Sequence, residues 1–193
     1  MYLTTSWPCI PDQAARTVPP LKPAADSPSA AGPPVSRGTA LAGEWMERSP
    51  WLGLIGVELL AVEPDVAEVG LPFRAELTTS AELVSGGAIV ALIETAATVA
   101  AWSGAATDGL TTGATAGLHV VHLAAKPSAA LRARAEVLRR GRSLCFSEVS
   151  VFAGDLRVAH GTVTYRFLTA GATDEDSVRG SRGRDPRMTT IHR

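Results

Sequence analysis

Apolar positions divide this chain into three parts. Between residues 39 and 170 they recur with helix or strand periods; before and after, they do not. Residues 39–48 read as a short helix, capped by Thr39 and carrying Leu41 and Trp45 on one side, with Ser49-Pro50 as the stop. Residues 54–63 alternate, placing Ile55, Val57, Leu59 and Ala61 on one face. Pro64-Asp65 is turn chemistry, and residues 66–71 alternate again up to Pro72, so this pair predicts a hairpin. After residue 115 come four strand candidates, at 116–125, 131–138, 144–152 and 156–168, separated by Pro127-Ser128, Arg140-Gly141-Arg142 and Ala153-Gly154-Asp155. The short turn after Phe152 makes its two neighbours an antiparallel pair.

One segment has no polar face. From Ala88 to about Trp102 apolar residues fill nearly every position, broken by Glu94 and threonines. Such a helix must be buried, and its alanines let another backbone come close. It follows Ser85-Gly86-Gly87 and precedes a Gly-rich loop at 103–113. Interrupted and short, it is not expected to span a bilayer. The order is thus helix, two strands, buried helix, four strands. An apolar helix is hidden when a sheet wraps it, and a second copy of the same helix covers the surface left over, so a dimer is expected.

The flanks differ in composition. Eight of the thirteen prolines lie in residues 1–34, among Ala, Ser and Gly, so residues 1–38 read as a disordered leader or as the product of a start codon placed too early. Residues 171–193, acidic and then Arg/Gly/Ser-rich, read as a flexible tail. The domain is 39–170. Aromatics are 5% of the chain, so its core must come from Ala, Val, Leu and Ile. A net charge of −1 recommends neither nucleic acid nor an anionic membrane as partner. No signal peptide is visible, and two distant cysteines, Cys9 and Cys145, make neither a disulfide scaffold nor a zinc site. A reducing cytoplasm is the expected setting.

Glu94 is the informative side chain. Flanked by Ala91, Leu92 and Ile93 before it and Ala96 and Ala97 after, its carboxylate either loses hydration or occupies the one solvent-exposed spot of the helix. Thr98 lies one turn on, able to touch a ligand or to bond back to a helix carbonyl. Gly86 and Gly87 expose backbone N–H groups at the positive end of the helix dipole, a place for a polarised carbonyl or simply a tight turn. If two such helices pack antiparallel, Glu94 of one chain approaches Gly86 of the other. Arg139, Arg140 and Arg142, with Lys126, offer cations for phosphate or a soluble edge. His119 and His122, three apart on one strand, point to opposite faces, which argues against a shared metal. There is no Gly-x-Ser-x-Gly elbow, phosphate loop or dinucleotide fingerprint.

Taken together, the stretches beginning at Trp51 (WLGLIGV), Leu71 (LPFRAELT) and Ser85 (SGGAIVALIETAA) resemble the hot-dog-fold acyl-CoA thioesterases, of the phenylacetate-degradation and 4-hydroxybenzoyl-CoA type. Those at Ala124 (AAKP), Val137 (VLRRGRS) and Val158 (VAHGTVTY) are similar to that family's last strands. The resemblance covers about residues 41–167 and implies an α+β hot-dog fold, an antiparallel sheet of five to six strands wrapped around one long central helix. It implies a homodimer, or a dimer of dimers, with sites at the interface, and no metal or cofactor beyond the coenzyme A of the acyl-CoA substrate. The residue at the place of Glu94 attacks the thioester or activates water there, the N–H at the place of Gly86 polarises the carbonyl, and the place of Thr98 carries a second polar group in some members. Gly87, Ser85 and Thr79 complete the expected substrate contacts. Many members have His where this chain has Ser85, and Asn where it has Thr79; the Gly often found between is replaced around Ala81-Glu82. A non-catalytic acyl-CoA-binding protein is the alternative that these departures favour. A hot-dog dehydratase ranks last, for want of its His-containing segment.

Overall fold

The computed structural model describes residues 36–79, 82–106 and 110–169. Residues 1–35 of the expected leader and the expected tail lie outside the described residues. Helix α1 (Arg37–Arg48) begins before the expected residue 39, because Ser36 rather than Thr39 is its cap: the Ser36 hydroxyl accepts from Thr39 N at 3.1 Å. Its buried face is Gly38, Ala42 and Met46; Leu41 and Trp45, expected on one side, lie off that face.

Where alternation predicted a strand from residue 54, a short helix α2 (Pro50–Ile55) stands instead. Local chemistry overrides the pattern. The Ser49 hydroxyl accepts from Leu52 N, Pro50 takes the first turn, and Gly56 closes the helix at φ 76°. Strand β1 (Glu58–Glu63) then pairs antiparallel with β2 (Val66–Leu71), as the hairpin reading expects.

Helix α3 (Gly86–Ser103) has 18 residues, capped by Ser85 and ended at Gly104. It is longer than expected, long and apolar enough to cross a membrane by length and composition, but 61% of it is buried inside the fold. Four strands follow: β3 (Leu110–His122), β4 (Leu131–Arg140), β5 (Leu144–Ala153) and β6 (Leu156–Thr169). The sheet runs β1-β2-β4-β5-β6-β3, every pair antiparallel. This six-stranded sheet curled on one central helix is the hot-dog fold.

Strand β3 starts inside the expected Gly-rich loop. Gly113 disguises it, yet that glycine is required: a Cβ there would stand 2.7 Å from the Arg166 carbonyl oxygen and the Tyr165 hydroxyl. The strand stops at His122 because Leu123 and Ala124 both turn their N–H groups to the one carbonyl of Val158.

The core forms where α3 meets the sheet. Leu92, Ile93, Ala96 and Val99 pack on Ala67, Val69, Ala133, Ala135, Val149 and Val151, all fully buried. Each large side chain so buried contributes about 1.5–3 kcal/mol. The small residues set the distance: a Cβ at Gly161 on β6 would lie 2.9 Å from Ile93 Cγ2. A satellite cluster of Trp102, Tyr165 and Phe167, with edge-to-face rings, fills the C-terminal end of α3.

Candidate active site

The start of α3 is built by its cap. The Ser85 hydroxyl accepts from Gly87 N at 3.3 Å, and Ser85 N donates to the Leu77 carbonyl at 2.8 Å. Ser85, expected to touch substrate, is thus engaged in capping. Thr79 is likewise held in its own loop, with N and Oγ1 both directed at the Leu83 carbonyl. Gly86 and Gly87 are exposed, and the Gly86 N–H has no acceptor among the described residues. It points outward at the positive end of the helix dipole.

Glu94 is exposed on the side of α3 turned away from the core, between the half-buried Ala91 and the buried Thr95. Its own chain therefore leaves the carboxylate hydrated, and the dry surroundings that the sequence raised as one option are absent from a single copy. Thr98 is buried, 5% exposed. It is Thr95 that bonds back, to the Ala91 carbonyl at 2.8 Å. Eight residues of helix separate Gly86 from Glu94, a rise of about 12 Å. One chain cannot place both against the same carbonyl group.

The cations expected to act together are split. Arg139, Arg140 and Arg142 lie at the β4–β5 turn, beside the C-terminal end of α3. Lys126 lies at the other end of these strands, where a Cβ on Gly154 would be 3.5 Å from its Nζ. Ten-residue strands put those ends about 30 Å apart. Arg140 is also committed: it forms an ion pair with Asp65, donating from Nε at 3.0 Å and from Nη2. Arg139 and Arg142 are exposed.

Two features were not legible in the sequence. The first is a cavity of about 700 Å³ between α1, the end of α3 and the β3–β6 pair, lined by Leu41, Trp45, Arg48, Pro50, Trp102 and Tyr165. Leu41 and Trp45, turned from the core, are spent here. Trp102 Nε1 donates to the Tyr165 hydroxyl at 2.9 Å. Burial pushes the Tyr165 hydroxyl above its usual range, the Trp102 bond works against that, and the Glu94 charge adds to it. The second is His122, whose ring lies at Gly86.

The comparisons bear on the fold. Residues 82–166 match the family model described as the Thioesterase superfamily. The match spans 85 of the 193 residues; over that stretch the chain is similar to the superfamily, and its fold is the hot-dog fold. Among solved structures, a conserved protein from Pseudomonas aeruginosa is 29% identical, covering 62% of this chain and 94% of its own, with a TM-score of 0.59. A thioesterase family protein from Silicibacter pomeroyi shares the fold at 20% identity and TM-score 0.64, over 68% of this chain and 98% of its own. So does the PaaI protein of the Escherichia coli phenylacetic acid degradation operon, at 18% identity and TM-score 0.62, over 69% and 96%. Among curated proteins none matches.

Proposed function

We propose that this protein is an acyl-CoA thioesterase that works as a homodimer, or as a dimer of dimers. The carrying observation is the separation of Gly86 from Glu94 on one helix: a free N–H at its start, and one carboxylate in the middle of an otherwise apolar helix. A second copy packed with its α3 antiparallel brings each Gly86 to the other chain's Glu94. Glu94 is then taken out of water by the partner, whereas its own fold leaves it exposed. The unpaired outer edge of β3, with Leu118 and Val121 exposed, supports association on this side.

In that arrangement the thioester carbonyl oxygen accepts from Gly86 N–H, which stabilises the negative charge that builds there. Glu94 removes a proton from water as its oxygen attacks the carbonyl carbon. The C–S bond then breaks, the free acid forms, and coenzyme A leaves as thiolate and takes up a proton. Alternatively, Glu94 attacks the carbon itself and water opens the resulting anhydride. The cavity beyond Glu94 receives the acyl group, and Thr98 and Gly87 border the reacting centre. Antiparallel packing turns the Arg139 and Arg142 turn of one copy toward the Gly86 and Lys126 end of the other, which supports a phosphate role for these cations despite their separation within a chain.

The test is thiol release from a panel of short, medium and aromatic acyl-CoAs. Glu94→Ala is expected to cost at least about 100-fold in kcat/KM. Gly86→Pro removes the N–H at a position where proline is tolerated, and is expected to cost a similar factor with the helix intact. Full activity in either variant overturns the mechanism. A second reading, an acyl-CoA binder without chemistry, is favoured by the local engagement of Ser85 and Thr79; it predicts CoA binding with no thiol release.

A further inference from the structure

Strand β3 delivers an imidazole to the start of α3. His122 is its last residue, paired with Ala159 of β6. It shares a face with Val120, which packs into the core under α3, while His119 takes the opposite face. A Cβ built on Gly86 would lie 3.5 Å from both Cε1 and Nε2 of the His122 ring. The ring is exposed and has no hydrogen-bond partner among the described residues. It therefore stands close to Gly86 with its nitrogens uncommitted, whereas the Ser85 hydroxyl at the cap is held on Gly87 N.

We infer that His122 Nε2–H is a second hydrogen-bond donor to the thioester carbonyl oxygen, acting next to Gly86 N–H. This rests on the proposed role of Gly86. Proximity gives the reason: the ring at the end of the strand lies within contact distance of the first residue of the helix, and an oxyanion has lone pairs for a donor from each. The neutral tautomer protonated on Nε2 suffices, so no charged imidazole is required. Because His122 is exposed, its replacement leaves the core untouched.

His122→Ala and His122→Gln separate this role from others. Glutamine keeps an uncharged N–H donor near the place of Nε2. Two readouts are needed: kcat/KM for acyl-CoA hydrolysis, and binding of a ketone analogue in which a methylene replaces the thioester sulfur. His122→Ala is expected to lower kcat/KM by about 100-fold and to weaken ketone binding, with His122→Gln recovering at least about tenfold of the lost rate and most of the affinity. An alanine variant equal to wild type in both, or a glutamine variant no better than alanine, overturns the inference. If wild type releases no thiol, the hydrolase reading falls, and ketone binding alone decides for or against His122. If wild type hydrolyses and His122→Ala is indifferent, only the His122 role falls.

Discussion

Gly38 of α1 rests against the Ser103 carbonyl at the end of α3: a Cβ on Gly38 would stand 2.9 Å from that oxygen, and the Trp102 carbonyl is closer still. Both obstacles are backbone and cannot rotate away. Gly38→Ala is therefore expected to destabilise the protein by about 1–3 kcal/mol, measured by urea unfolding. Since α1 forms one wall of the cavity, the same variant should raise KM for acyl-CoA by a larger factor than it lowers kcat; an unchanged KM would separate the cavity from substrate binding.

A site shared between chains makes a prediction that a single-chain site does not. Glu94→Ala and Gly86→Pro are each expected to be inactive. Mixed, unfolded together and refolded, they form hybrid dimers in which one site carries both defects and the other carries none. Activity should return to about one quarter of wild type at equal mixing, as expected for isologous pairing. No recovery would place both groups in the same chain's site.

Glu68 is buried on β2 and meets two guanidinium groups from β4, Arg132 at 3.3 Å and Arg134 at 3.2 Å. Losing one arginine leaves the other in place, so Arg132→Ala or Arg134→Ala should cost about 1 kcal/mol or less. Losing both removes two cations from a buried carboxylate, and the double variant should cost about 3 kcal/mol, more than the sum of the singles. Additivity in a double-mutant cycle by thermal unfolding would contradict this.

Cys145 is buried, and burial pushes its thiol above the ordinary value of 9.0, with the Arg140 charge pulling the other way. The folded state thus keeps its proton longer than the unfolded chain does. The stabilisation is full below about pH 9 and falls as the pH rises beyond it, because the unfolded thiol ionises first. Urea midpoints measured from about pH 8 to pH 10 should fall less steeply in Cys145→Ala than in wild type. Native Cys145 should also react slowly with thiol reagents until the protein unfolds.

Periodicity made most of the fold legible. The alternation at β2, β4, β5 and β6 and the all-round apolarity of α3 each correspond to an observed element. The pattern failed where a local device outweighed it. At 50–55, Ser49, Pro50 and Gly56 make a helix that takes in residues 54 and 55, the start of the expected strand. At 110–115, glycine and threonine hide a strand whose partner, β6, is far along the chain. Of the candidate site, the positions of Glu94 and Gly86 on α3 were legible because a carboxylate in an apolar helix and a glycine pair before it are local anomalies. The cation group was misread as one cluster because nothing in sequence order says that Lys126 and Arg140 lie at opposite ends of β4.

Residue order alone determined that one apolar helix must be covered by a sheet, since burial period and turn chemistry are properties of neighbours along the chain. Only the tertiary structure decided what meets across that helix: His122 at Gly86, Asp65 on Arg140, and a cavity walled by side chains that the core did not use. Those contacts join residues brought together by strand register and by the seat of α3 on the sheet, and register is set by the packing of the whole domain rather than by any segment of it.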